Sequence, residues 1–528
     1  MSHVGKSDMV VGNDHELDTF EGALRDKYQG TAQDHRDMRT LGKTQVLNRN
    51  FRFISTLGFA CTLMSTWEIE LASSLFGLLD GGTAGLVWGY LVCWMGYGMV
   101  FASVAEMASI SPTAGGQYHW VSEFAPRSCQ RFLSWLVGWI SVFGWQIGLA
   151  SLAFIVGTVI QGLIVLNNPT SYTFERWHGT LLVWAIVAFC IIFNSFLAHK
   201  LPMVEGAVLI LHIVGFFAVL VPLWTLAPRL PASEVFGTIT NLGGWSSNGL
   251  SFMVGLLTPV YTLLGADSAV HMAEEVRDAS VTVPRAIMTS AVLNGSLGWI
   301  MTITYCFTLG NLFVILPPDN TTGYPFILVL YNATQNRAAA SVLTAIIITN
   351  ITSACISTVA TVSRQTWAFA RDNGLPFSSF VAHVRPGWNI PLNSVLITFT
   401  ISCLLALINI GSTVAFNAIG SCALVSILST YFISISVLVY RRFQGPLPAR
   451  RWSMGRFGIF VNLGALAWLL TVWVFCFFPL ATGVQLTLAT MNWNCVIYGG
   501  LIIVGMVYWF VRGKKTYTPP VLYVERTN

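Results

Sequence analysis

What most constrains this chain is its repeated apolar runs. About twelve of them are long enough to cross a bilayer, which needs ~20 residues in a helix. We draw them at 53–79, 84–108, 130–166, 177–197, 203–226, 249–275, 286–314, 338–370, 391–410, 413–440, 457–478 and 491–512. Only 10% of the 528 residues are charged, against roughly 25% in an ordinary soluble chain. The sequence therefore predicts an all-α polytopic membrane protein. The runs 130–166 and 338–370 are too long for one upright crossing and must tilt or project beyond the bilayer. Residues 1–50 are polar without periodicity and read as a disordered tail. No cleavable signal peptide is expected in them, because they are polar throughout. The transmembrane domain is expected at 51–515 and a second short tail at 516–528.

Lys and Arg set the orientation. With the N-terminus in the cytoplasm, 25 of the 28 basic residues fall on the cytoplasmic side. Only Arg176, Arg229 and Arg337 fall elsewhere. The positive-inside rule then puts both termini in the cytoplasm. It also puts Asn320, of the sequon Asn320-Thr321-Thr322, in an outer loop where a glycan could be attached. The ten cysteines stand singly in apolar runs, without paired spacing, and read as small packing residues.

Two runs are interrupted. In the sixth, Thr258-Pro259 and then Gly265-Ala266-Asp267-Ser268 break the apolar pattern. Pro removes a donor and Gly weakens a helix. In the first, Gly58 and Thr62 precede Ser65-Thr66-Trp67-Glu68-Ile69-Glu70, which places two carboxylates in an apolar run. Broken helix at membrane depth is tolerated only where protein or a wet cavity surrounds it. Interruptions at corresponding positions of two halves point to a transporter's binding site. The expected architecture is two inverted five-helix repeats with two extra helices.

The motifs in order resemble those of the amino acid–polyamine–organocation superfamily, and within it the fungal amino acid/choline/GABA permeases. They are Gly58-Phe59 with Ser65-Thr66-Trp67, and Ala105-Glu106-Met107 through Pro112 to Gly115-Gly116-Gln117-Tyr118 and Trp120. Then come Gly265-Ala266-Asp267-Ser268 with His271, Glu274-Glu275 and Val283-Pro284, and finally Ala370-Arg371-Asp372-Asn373-Gly374-Leu375-Pro376 with Pro391-Leu392-Asn393. The resemblance covers about residues 50–515. It implies a leucine-transporter-type fold, alternating access, a small amine or amino-acid substrate and, usually, proton coupling. It also implies that Tyr261 is an aromatic gate over the substrate.

Backbone N–H groups at the half-helix N-termini, near Ser65, Thr66 and Trp67 and around Gly265, could hold a substrate carboxylate. A substrate ammonium needs a carboxylate or aromatic faces. Trp67 is the first aromatic candidate, with Trp139, Phe143 and Trp145 behind it. Glu68 and Asp267 could meet a cation or a proton, or could simply cap exposed backbone. His212, in the fifth run, has the side chain type that titrates near physiological pH and could carry a coupled proton. Glu106, Glu274, Glu275 and Arg371 sit at cytoplasmic helix ends and read as inner-gate ion pairs.

These features predict a secondary permease for an amino acid, GABA, choline or a related amine. A passive facilitator of the same fold, or a transporter of an amine-like fungal metabolite, remains open. An enzyme is disfavoured because no metal cluster, phosphate loop or activated nucleophile accompanies the runs. No cofactor and no nucleic-acid partner is expected; the partners are substrate, protons and lipid. The plasma membrane is the expected location, with the vacuolar membrane as the alternative.

Overall fold

The computed structural model describes residues 30–385, 390–483, 486–488 and 491–524. Ten helices among them are long and apolar enough to cross a membrane: Gly82–Ile110, Gln130–Asn167, Arg176–Phe196, Ala198–Leu226, Ala279–Thr308, Arg337–Arg371, Leu392–Gly411, Ala418–Gln444, Gly455–Phe475 and Asn494–Leu522. The first and sixth spans are missing from that set because each is cut. The first is the pair Phe53–Met64 and Thr66–Leu79. The sixth is Asn248–Gly255, Leu257–Thr262 and Ser268–His271. Counting these two, the chain has the spans the hydropathy pattern places. The third and eighth run unbroken for 38 and 35 residues.

The two cuts have different local causes. Ser65 ends the first half-helix in the left-handed region, at φ 37°. That conformation costs an L-residue roughly 1–2 kcal/mol. Its hydroxyl offsets part of this by donating to the Thr62 carbonyl at 2.7 Å. In the sixth span the turn lies at Leu263–Asp267, where Gly265 adopts φ 106°. This backbone conformation favours glycine; a Cβ there would also push on a Leu63 methyl, 2.7 Å away. Pro259 is not the break. It sits in the first turn of Leu257–Thr262, and Val260 N–H still bonds the Leu256 carbonyl. Helix amides in the first turn lack partners, so a missing N–H costs nothing there.

Spans five apart meet. Thr66–Leu79 packs on Leu257–Thr262, the second span on the seventh, the third on the eighth and the fourth on the ninth. Corresponding helices of two five-helix repeats meet in this way around a pseudo-two-fold axis. The outward faces carry exposed apolar residues such as Phe189, Ile210, Leu404 and Ile503, as a lipid-facing belt requires.

Of the tail expected at 1–50, residues 1–29 lie outside the described residues; residues 30–50 pack on the bundle. Ala32–Thr40 is a helix with a capping box formed by Thr31 and Asp34. Asp34 also accepts from the N–H groups of Asp278 and Ala279, at 2.9 and 3.1 Å, so it caps the seventh span. Arg49 donates to the carbonyls of Ala273 and Val276, at 3.0 and 2.5 Å. Phe51 pairs backbone to backbone with Glu275 and Arg277. Burial alone would raise Asp34, but Arg49 and the N–H groups of Asp278, Thr31 and Ala279 outweigh it and hold its carboxyl below the usual range. At the other end the Tyr517 hydroxyl meets Ser134 at 2.6 Å, and Thr518 N–H bonds the Asp372 carbonyl. Residues 30–50 and 517–524 thus form a strap on the face that carries the termini, because their polar groups find buried backbone partners there.

Candidate functional site

The breaks organise two polar clusters. At the first, Ser65, Thr66, Trp67 and Glu68 are all buried. The amides that open the second half-helix have no partner within it, and the Thr66 hydroxyl is buried without a bond. Glu68 Oε1 and His212 Nδ1 lie 2.8 Å apart, which joins the first span to the fifth. At the second break Asp267 accepts from Gln117 Nε2 at 2.7 Å and from the Tyr431 hydroxyl at 2.5 Å. His271 stands beside it, under the edge of Trp145.

A cavity of about 610 Å³ lies between these breaks and the face opposite the termini. Its wall reaches Leu79, Phe174, Gly243, Gly323 and Leu480, which belong to or adjoin the connections on that face. Its deeper wall includes Ala72 and Ser73 of the first span and Leu257 and Tyr261 of the sixth. Ser151, Phe154 and Thr158 of the third span face it from one side. Tyr324 closes a flank, its hydroxyl 2.5 Å from that of Thr158. Among the described residues Arg176 is the single charged side chain in this lining.

Of the residues the sequence singles out for substrate, Tyr261 lines the cavity and the others do not. Trp67 points the other way: its Nε1 donates to the His212 carbonyl at 3.2 Å and its ring packs on Phe216. Trp139 donates to Leu501 and stacks on Trp135 and Tyr508, while Phe143 packs on Trp139. In this structure these three aromatics pack between helices and do not reach the cavity. Gly265 serves the turn itself. The stripe Ser151, Phe154, Thr158 escaped the sequence reading; small polar residues at helical spacing in an apolar run were the signal for it.

The other face carries a cluster of buried ion pairs. Arg371 grips Glu274 with two bonds, Nη1 to Oε2 at 2.9 Å and Nη2 to Oε1 at 2.8 Å. Glu274 also accepts from the Thr113 hydroxyl and the Ala114 N–H. Arg364 Nε donates to Glu275 at 2.7 Å. Lys43 of the strap reaches Asp372 at 3.8 Å. Burial, with the charge of Arg371 added, pushes the Lys43 ammonium below its ordinary value. Arg371 thus pairs with Glu274 and Glu275 with Arg364; the sequence reading named neither Arg364 nor Lys43 nor Arg49. Glu106 belongs elsewhere: it holds Arg442 and Arg450.

Asn320 is 4% exposed, donates to the Ile315 carbonyl at 2.8 Å and accepts from Thr322. The side chain is thus buried in this fold and not presented at an outer surface, where the sequon reading expects it. No group of three or more metal-ligating side chains is found among the described residues.

A model of the amino acid permease family matches residues 51–502. The chain is 28% identical over 476 residues to a choline transporter of Saccharomyces cerevisiae, covering 89% of this chain and 83% of that one. It is 26% identical over 506 residues to amino-acid permease 2 of Neurospora crassa, covering 94% and 91%. An uncharacterized amino-acid permease of Schizosaccharomyces pombe is 27% identical over 522 residues, covering 98% and 89%.

Proposed function

The chain belongs to the amino acid permease family, and on that premise we propose that it moves a small amine or amino acid across its membrane by alternating access, coupled to protons. The observation that carries this is the asymmetry of the two faces. A cavity of about 610 Å³ meets both broken helices from one face. The opposite face carries the buried Arg371–Glu274 and Arg364–Glu275 pairs, which in this reading are its seal. Ion pairs that break and re-form are a two-state element, which is what alternating access needs. The arrangement favours a carrier over a passive facilitator, whose path would be open at both faces.

In this reading substrate enters beside Tyr261, which turns over it as the gate closes. Amides of the two half-helices receive a carboxylate, where the helix dipole is positive. Tyr261, Tyr324, Phe76 and Phe154 offer ring faces to an ammonium, each contact contributing about 0.5–2 kcal/mol. Glu68 and His212 carry the proton. They share one hydrogen bond, and Glu68 Oε2 and His212 Nε2 are buried without another. Protonation there changes the tie between the first and fifth spans. Both termini lie in the cytoplasm, so the cavity faces outward, in the plasma membrane or toward a vacuolar lumen.

The test is uptake of labelled choline, GABA and amino acids by a host lacking its own permeases, with and without an uncoupler. Saturable uptake that collapses with the uncoupler supports the reading. Uptake insensitive to both uncoupler and pH removes proton coupling. Uptake of none of them turns the assignment toward a specialised amine-like metabolite.

A further inference from the structure

We propose that a second pocket, on the face that carries the termini, holds the phosphate of an anionic phospholipid from the adjoining leaflet. It lies where the tenth span ends and the loop to the eleventh begins. It encloses about 390 Å³ and is lined by Arg442, Arg450 and the turn Gly445-Pro446-Leu447. The proposal rests on the orientation given above, which makes this face cytoplasmic.

The pocket is positively charged by construction. Glu106 of the second span is fully buried, and two guanidinium groups share it. Arg450 Nε donates to Oε1 at 2.7 Å, Arg442 Nη2 donates to Oε2, and Ser453 adds its hydroxyl at 3.1 Å. Arg442 Nε is held by Asn462 at 2.8 Å and Arg450 Nη1 by the Pro448 carbonyl at 3.2 Å. Two cations on one carboxylate leave one charge uncompensated. Arg442 Nη1 and Arg450 Nη2 have no acceptor among the described residues, and the two side chains keep 14% and 19% exposure. The guanidinium of Arg442 also packs on the backbone of Gly458: a Cβ there would lie 2.3 Å from its Nη2.

A phosphodiester supplies what these groups lack. Its oxygens accept from two guanidinium groups at once, in charge-assisted bonds. The surroundings favour a lipid over a soluble anion. Phe443, next in sequence to Arg442, and Phe457 and Phe460, which flank Gly458, stand 73%, 60% and 71% exposed, as rings do that meet acyl chains below a headgroup. Arg441 and Arg456 lie on the same segment, whereas Arg451 is taken by Asp278. One uncompensated basic group near an anionic leaflet is worth about fivefold in affinity. Phosphate and Glu106 compete for the same two side chains, so the bound lipid loosens the hold of this loop on the second span.

The test is native mass spectrometry of the full-length chain in neutral detergent, titrated with dioleoyl phosphatidylserine or dioleoyl phosphatidylcholine. The wild type should prefer phosphatidylserine by about fivefold, matching one surplus charge. Arg450→Gln should bring that preference close to one. Glu106→Gln should raise it by about another fivefold, since it frees a second charge. A pair that only holds the fold together would lose preference in both variants, and that result would overturn the proposal. Equal binding of the two lipids by the wild type would also overturn it, without reference to any variant. So would displacement of phosphatidylserine by millimolar inorganic phosphate, which would make this a soluble-anion site. None of these outcomes depends on substrate transport, which the uptake assay reports separately.

Discussion

Arg371→Gln is the sharpest perturbation of the seal. It removes both bonds from Arg371 to Glu274 and leaves a carboxylate that is 1% exposed without its main cation. Stripping one partner from a buried pair costs about 3–5 kcal/mol. Arg371 itself is 22% exposed, so water replaces part of what is lost and the lower end, about 3 kcal/mol, applies. That is on the order of 100-fold in the equilibrium between the sealed and unsealed states. The reporters are backbone amides. Phe51 N–H bonds the Glu275 carbonyl and Arg277 N–H bonds the Phe51 carbonyl, both across the seal. Hydrogen exchange at these two amides should accelerate by about that factor, while amides within the third span stay protected. Adding Glu274→Gln removes the orphaned charge and should recover most of the protection, because loss of both partners is far cheaper than loss of one. Unchanged exchange at Phe51 and Arg277 in the single variant would refute the idea that this pair holds the face closed. Failure of the double variant to recover would refute the charge argument behind the magnitude.

Further outcomes follow from the same geometry. Tyr261→Ala should lower uptake at least tenfold with normal expression, and Tyr261→Phe should keep most of it, because the ring lines the cavity; transport kinetics at matched protein levels decide. Trp67→Ala should instead reduce folded yield, since truncating a fully buried Trp costs about 3–5 kcal/mol; fluorescence-detected size-exclusion reads this, and a normal peak without uptake would restore Trp67 to the substrate path. Glu68→Gln should leave substrate exchange intact while flattening the pH dependence of net uptake, measured in vesicles with imposed pH gradients. The docking of the N-terminal strap depends on ionised Asp34, whose folded value lies below its ordinary one. Its stabilising contribution is therefore complete above about pH 4 and lost as pH falls through the lowered value. Proteolysis between residues 40 and 50 should stay slow from pH 8 to 5 and speed up only below about pH 4.

The spans and both interruptions were readable because membrane crossing leaves a strong signature in hydropathy, Gly and Pro. The details of the breaks were less so. Pro259 looked like the interruption, yet a proline in a first turn costs no hydrogen bond, and the turn fell to Gly265. The direction of Trp67 could not be read at all. Each helical residue turns about 100° about the axis, and the left-handed Ser65 resets the phase of everything after it. Trp67 therefore faces the fifth span, not the cavity. The partners of Glu274 and Glu275 were half visible, since Arg371 lies in a motif but Arg364 sits inside an apolar helix. The strap was invisible because its contacts run from polar side chains to distant backbone, as from Asp34 to Ala279 and Arg49 to Ala273. Such contacts leave no periodicity in a sequence.

The central claim is that one cavity serves both sides of the membrane in turn. Purified protein in liposomes preloaded with an unlabelled substrate tests this directly, with the labelled compound added outside at trace level. Alternating access predicts that the preload accelerates label entry, with saturation and transient accumulation above the outside concentration. Entry that is unaffected by the preload and rises linearly with concentration would contradict it.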